Sequence, residues 1–182
     1  MTDDNSSPFL PPGSLPALPE GAAVPGPPQP DGLLPEPPKG PSFAELGLRP
    51  DVLRALDEMG FSHPMAVQAT AFPLIEAGRD LMVQSRTGSG KTAAFGIPFA
   101  NGMVKADEKF VQAIVLLPTR ELALQVAAEL TRICAYTGLT VVPVYGGAPM
   151  GRQVEQLHAG GQIVCGTPGR VADCKYRRCD MT

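Results

Sequence analysis

The densest chemistry in the sequence lies in eight residues, Ser85-Arg86-Thr87-Gly88-Ser89-Gly90-Lys91-Thr92. Gly88 and Gly90 let the backbone wrap closely enough for its amides to converge on an anion, and a lysine and a threonine follow directly. Converging amides, an ammonium and a hydroxyl suit a nucleoside triphosphate with its magnesium. Lys91 would reach the β- and γ-phosphates as a point charge, and the Thr92 hydroxyl would coordinate Mg2+. The strict phosphate-loop pattern begins with glycine, and this chain has the small residue Ser85 there. Such a loop by itself specifies a triphosphate and nothing finer.

A second constellation precedes it: Phe43, then Gly60-Phe61-Ser62-His63-Pro64, then Gln68. A glutamine amide can donate to and accept from the edge of adenine at once, and an aromatic ring can cover the base face. Taken alone, Gln68 would be an ordinary surface-helix residue and Phe43 a core anchor. Their spacing ahead of a phosphate loop assigns them to the adenine.

These groups need a scaffold that carries loops at the ends of strands. The pattern predicts a helix over 50–59, with Pro50 at its first position and Gly60 ending it, and a second from about Met65 to Gly78. Asp80 to Gln84 reads as a short buried strand, Lys91 onward as a helix weakened by Gly96 and Pro98, and Ala113 to Leu117 as a strand. Arg120 to Tyr136 reads as a helix closed by Gly138, with further strands at 141–144 and 162–165. Strands alternating with helices, and apolar on both faces, predict an α/β fold with a parallel sheet covered on both sides. Ligands in such folds sit at the carboxyl ends of the strands, where every distinctive loop of this chain falls.

Met1 to Pro41 hold 13 of the 21 prolines and no regular apolar spacing, which predicts a disordered Pro/Gly-rich arm with polyproline II character. Such an arm suits a solvated linker or a ligand for an aromatic-lined partner groove. The net charge of −3 gives no global positive field, so any nucleic-acid contact has to be local. Cys134, Cys165, Cys174 and Cys179 lack zinc spacing and form no CxxC pair, which predicts reduced thiols and no thiolate metal site. Thr2, Asp3 and Asp4 are not the start of a secretory signal, and no apolar run reaches the length of a membrane span. The expectation is a cytoplasmic protein without membrane insertion.

Together the two constellations resemble the Q motif (Phe43, Gly60 to Gln68) and motif I (Ser85 to Thr92) of the DEAD-box RNA helicases. Three more matches follow in order: Pro118-Thr119-Arg120-Glu121-Leu122-Ala123 resembles motif Ia, Gly146-Gly147 the GG element, and Thr167-Pro168-Gly169-Arg170 motif Ib. The resemblance covers about Phe43 to Asp173. It implies the first of two RecA-like P-loop domains, ATP as the nucleotide, and RNA backbone contacts from Pro118, Thr119, Arg120, Gly146, Gly147 and the 167–170 run. The residues themselves agree, because Thr119 and Thr167 suit helix N-caps, Pro168 suits a first turn, and free amides at helix starts attract phosphate. Without the motifs, Arg120 and Arg170 would be solvated or paired, Arg120 with Glu121.

The family continues into an Asp-Glu-Ala-Asp strand and a Ser-Ala-Thr strand, neither of which occurs here. The domain expectation is therefore an arm over 1–41, a partial RecA-like domain over 42–173, incomplete at its C-terminus, and an aberrant tail over 174–182, the mark of a frameshift, a misplaced gene boundary or a truncated product. With no motif carboxylate and no arginine fingers, the catalytic set is incomplete and the chain alone is expected not to hydrolyse ATP. The family's topology sets the Ser-Ala-Thr strand beside the P-loop strand, so a sheet missing its middle and prone to aggregation is expected. The competing readings are a nucleotide- or RNA-binding module without turnover and, more remotely, another P-loop class such as a DNA helicase or nucleotide kinase.

Overall fold

A computed structural model describes residues 41–176. Residues 1–40 of the expected arm, and the expected tail from Arg177 onward, lie outside the described residues.

After a 3-10 turn at Phe43–Leu46, helix α1 (Pro50–Glu58) begins with the proline at N1, where its missing donor costs nothing. It ends at Met59 before Gly60, whose φ of 77° is a left-handed turn conformation. Helix α2 (Ala66–Glu76) follows, with Met65 as N-cap. Helix α3 (Lys91–Pro98) runs on through a π turn at Phe99–Met103, and Gly96, expected to weaken it, has a packing reason to be there. A β-carbon at Gly96 would stand 2.5 Å from Leu130 Cδ2, so glycine lets α3 approach helix α4 (Arg120–Ile133) closely. Helix α4 stops three residues short of the expected Tyr136. Its last turns loosen at Cys134, and Gly138, with φ 76°, lies beyond that end. On the surface, Tyr136 Oη donates to both carboxylate oxygens of Glu58 at 2.7 Å, tying α1 to the region after α4. That bond, ahead of Arg54, pulls the Glu58 carboxyl below its ordinary value.

Strands β1 (Ala113–Leu116), β2 (Val141–Val144) and β3 (Ile163–Gly166) form a parallel sheet in the order β1-β3-β2. Ala113 and Val141 both lie opposite Ile163. All four residues of β3 are buried, as a central parallel strand requires. Its side chains alternate between two cores. Ile163 and Cys165 join the cluster of Ile97, Leu130 and Ile133 under α3 and α4, whereas Val164 joins Val142, Val144 and Leu157 on the other face. Helices therefore cover both sides of the sheet, the three-layer α/β arrangement expected.

Helix α5 (Met150–His158) was not anticipated from the pattern, and helix α6 (Pro168–Tyr176) carries the chain into the segment expected to be aberrant, with Cys174 fully buried. One expected element is absent: 80–84 is not a strand. Leu81, Met82 and Val83 are exposed, Met82 completely, and grooves of about 450 and 280 Å³ open on their flanks. The sequence supplied the apolar run, but a strand exists only when a neighbour accepts its ladder bonds. Among the described residues none pairs with 80–84. Strand β1 is correspondingly an edge, with Ile114 47% and Leu116 59% exposed.

Candidate nucleotide loop and nucleic-acid ridge

The nucleotide loop is built by local contacts. Gly88 and Gly90 take φ of 78° and 80°, so the backbone doubles back twice within three residues. The hydroxyls of Ser85 and Ser89 lie 2.7 Å apart, closing the loop across its base. Ser85 thus makes a contact that glycine could not. Lys91 Nζ donates to the carbonyls of Ser85 at 2.8 Å and Arg86 at 2.7 Å, so the ammonium is folded back into its own loop. Thr87 and Gly88 lie exposed at the tip, and Thr92 is half-buried in the first turn of α3.

Gln68 is brought to this loop, as its spacing suggested. It is buried, accepts from the Met65 N–H at 2.9 Å and donates through Nε2 to the Gly90 carbonyl at 3.2 Å. The side chain therefore caps α2 and tethers the end of the loop together. Contact is close enough that a β-carbon at Gly90 would lie 2.3 Å from Gln68 Nε2 and 2.9 Å from Met65 Sδ. Phe43 does not stand with them in an open position. It is 3% exposed and belongs to the core with Leu48, Val52 and Phe72, so its faces are taken up by packing rather than offered to a base.

The other candidate residues gather along the carboxyl edge of the sheet. The Leu117 N–H donates to the Gly166 carbonyl and the Thr167 N–H to the Val144 carbonyl, both at 2.9 Å, extending the ladder just past the strand ends. The loops after β1, β2 and β3 therefore leave the sheet side by side. Thr119 caps α4 by accepting from the Leu122 N–H at 3.3 Å, as expected. At Thr167 the backbone carbonyl accepts from the Val171 N–H at 3.0 Å, the first bond of α6. Pro118, Thr119, Arg120, Gly146, Gly147, Pro168 and Gly169 are exposed, and Thr167 and Arg170 half-exposed.

Both arginines are held by uncharged groups. Arg120 lays its guanidinium over the Tyr145 ring, 4.8 Å from its centre, rather than pairing with Glu121. A β-carbon on Gly147 would come within 3.7 Å of Arg120 Nη1, so the first and second loops are in register. Arg170 Nη1 donates to the Ala148 carbonyl at 3.1 Å and lies 3.4 Å from Gln153 Oε1. Tyr145 and Gln153 were missed by sequence reasoning. The available signal was Gln153 itself, a polar residue at the core-facing helical spacing of Met150 and Leu157.

Comparison with known proteins settles which family this arrangement belongs to. The DEAD/DEAH box helicase family model matches residues 65–181. The chain belongs to the DEAD/DEAH box helicase family. It is 47% identical over 133 residues to ATP-dependent RNA helicase DeaD of Mycobacterium tuberculosis, covering 72% of this chain and 23% of that protein. It is 44% identical over 132 residues to DEAD-box ATP-dependent RNA helicase CshA of Geobacillus kaustophilus, covering 28% of that protein. The chain thus spans about a quarter of the length of these relatives. Among solved structures, a DEAD box protein from Methanococcus jannaschii superposes with a TM-score of 0.70 at 39% identity, over 76% of this chain and 38% of that one. A hypothetical ATP-dependent RNA helicase from Sulfolobus tokodaii gives 0.64 at 36% identity, over 71% and 37%. The fold is accordingly the RecA-like domain of DEAD-box proteins.

Of the remaining expectations, no helix among the described residues is long and apolar enough to cross a membrane. Cys134, Cys165 and Cys174 are all buried. Burial pushes the Cys134 thiol up to about 11 and the Cys165 thiol up to about 12. Both are neutral at physiological pH and withdrawn from thiolate chemistry.

Proposed function

We propose that these residues bind ATP with Mg2+ and the backbone of RNA, as the first half of an ATP-dependent RNA helicase motor acting in the cytoplasm. The observation that carries the reading is the side-by-side exit of three loops at one sheet edge, with Arg120 and Arg170 held by uncharged partners. A ring, a carbonyl and an amide orient a guanidinium without neutralising it, which leaves its charge for phosphate. Exposed amides at the starts of α4 and α6 add donors of the same kind. Such contacts read the backbone and carry no base sequence.

For the nucleotide, the residues present fit the group. Lys91 would hold the β- and γ-phosphates, Thr92 would ligate the magnesium, and Ser85 to Gly90 would surround the phosphates with amides. Gln68 would pair with adenine once its bonds to Met65 and Gly90 are exchanged. The bound nucleotide supplies the free energy of phosphoryl transfer. Turnover requires, beyond these residues, a carboxylate for the metal and arginine fingers. We therefore assign binding to this chain and unwinding or remodelling to the longer protein. Protein partners for the proline-rich arm belong to the same proposal.

The test is a titration of the chain with a fluorescent ATP analogue and with a labelled RNA oligomer at several salt concentrations. Mg2+-dependent nucleotide binding and RNA affinity that falls steeply with salt are expected. RNA binding unaffected by Arg120→Ala and Arg170→Ala would remove the ridge from the reading.

A further inference from the structure

Gln153 is 5% exposed and lies on the core-facing side of α5, where an apolar residue would ordinarily stand. A buried amide is tolerated only when its polar atoms find partners. Gln153 finds them on a single neighbouring residue: Oε1 accepts from the Tyr145 N–H at 3.2 Å and Nε2 donates to the Tyr145 carbonyl at 3.1 Å. This reproduces in a side chain the pair of bonds that a neighbouring strand would give. The same Oε1 is 3.4 Å from Arg170 Nη1, and Tyr145 carries Arg120 over its ring. One side chain therefore reaches both arginines of the ridge through one intermediate or none.

We propose that Gln153 is a positioning residue for RNA binding, setting Arg120 through Tyr145 and Arg170 directly. The inference rests on the RNA reading of the ridge. Gln153 contacts no phosphate itself. It fixes the residue that opens the Gly146-Gly147 loop and restrains an arginine that would otherwise lose rotamer freedom on binding, so the ridge meets RNA already ordered. A separate bond ties the third loop to the second, because Arg170 Nη1 also donates to the Ala148 carbonyl at 3.1 Å.

The experiment measures binding of a fluorescein-labelled oligouridylate by anisotropy, with a fluorescent ATP analogue titrated into the same preparations. Gln153→Met keeps the volume and removes all three bonds. It is expected to weaken RNA binding roughly ten-fold and leave nucleotide affinity within about two-fold. On an Arg120→Ala/Arg170→Ala background it is expected to change nothing further. Gln153→Glu keeps the acceptor for Tyr145 and Arg170 but adds a negative charge beside Arg170, so RNA binding should lose about one unit of salt dependence. This second variant reports on the role even if the first folds poorly. Equal losses for RNA and nucleotide in Gln153→Met, with an unchanged salt slope in Gln153→Glu, would reduce Gln153 to a fold-stabilising residue and overturn the proposal. RNA affinity that responds to Arg170→Ala but to neither Gln153 variant would overturn it while leaving the RNA reading intact. No RNA binding by the parent chain would overturn both.

Discussion

The nucleotide loop and the ridge are both loops at strand ends, yet they hold their shape by different means. The ridge leaves three strands joined in one ladder, and its charged side chains are oriented by residues from other elements, Tyr145, Ala148 and Gln153. The nucleotide loop leaves 80–84, which has no strand partner among the described residues, and it is closed on itself by Ser85, Ser89 and Lys91. Glycine conformations, short-range hydrogen bonds and the single Gln68 tether at Gly90 shape the phosphate loop. Orienting arginines across three loops requires the sheet.

The sharpest way to break this comparison is to place the same small substitution in both regions. A β-carbon at Gly166 would stand 2.6 Å from the Val144 carbonyl oxygen and 2.5 Å from Val171 Cγ2. A strand backbone cannot yield as a side chain can, so Gly166→Ala is expected to cost about 3 kcal/mol of stability. At Gly88 nothing lies within 4 Å, and only the φ of 78° resists a side chain, which predicts about 1 kcal/mol for Gly88→Ala. Urea unfolding of the two variants measures the difference. Equal losses would mean that the loop and the sheet edge are one cooperative structure.

Alkaline pH should also act on the sheet side. Cys165 lies on central strand β3, and Cys134, at the end of α4, belongs to the same core cluster. Their folded values of about 12 and about 11 stand above an ordinary value of 9.0. The unfolded chain therefore releases these protons first, and as pH rises past 9 it binds fewer protons than the native state. Stability is fully present below pH 9 and falls by about 1.4 kcal/mol per pH unit per thiol, until the folded thiols titrate near 11 and 12. Unfolding curves at pH 8 and 10 check the slope. Cys165→Val should flatten it by one thiol's share.

These contrasts follow what could and could not be read from the chain. Pro50, Thr119 and the Gly-Ser-Gly-Lys-Thr run declare local events, a helix start, a cap and a wrapped loop, and each is where the sequence puts it. The strand expected at 80–84 failed because an apolar run records burial potential, whereas strand status depends on a partner remote in sequence. Helix α5 was hidden because Gly146, Gly147, Pro149 and Gly151 are turn formers and Gln153 stands on its inner face. Arg120 and Tyr145 meet across 25 positions, and no local pattern announces such a pair. Phe43 was read through its motif, but its environment is the core.

A change at Lys91 separates the two regions functionally. Its ammonium already donates to two loop carbonyls, so a nucleotide must draw it away from them before its phosphates gain it. The net loss on removal is the difference between those interactions, and charge-assisted bonds are worth about 1.5–3 kcal/mol. Lys91→Ala is therefore expected to weaken a fluorescent ATP analogue by roughly ten- to a hundred-fold, adenosine much less, and RNA not at all. Parallel loss of RNA affinity would mean that the loop supports the ridge.

The smallest expected effect probes the ridge from within. The Tyr145 ring lies under Arg120 but offers it no carboxylate, so the interaction is a cation–π contact worth roughly 0.5–1 kcal/mol at an exposed site. Tyr145→Leu removes the ring and keeps the backbone groups that Gln153 grips. If Arg120 is oriented by the ring, RNA affinity should fall two- to five-fold while nucleotide affinity stays constant. Arg120→Lys should behave similarly, because an ammonium can meet phosphate but lacks the planar face that stacks. A larger loss from Arg120→Lys than from Tyr145→Leu would indicate that the guanidinium is used for paired bonds to phosphate and that stacking is incidental. Anisotropy titrations at one fixed salt concentration distinguish these outcomes, since neither variant alters the backbone on which the ridge stands.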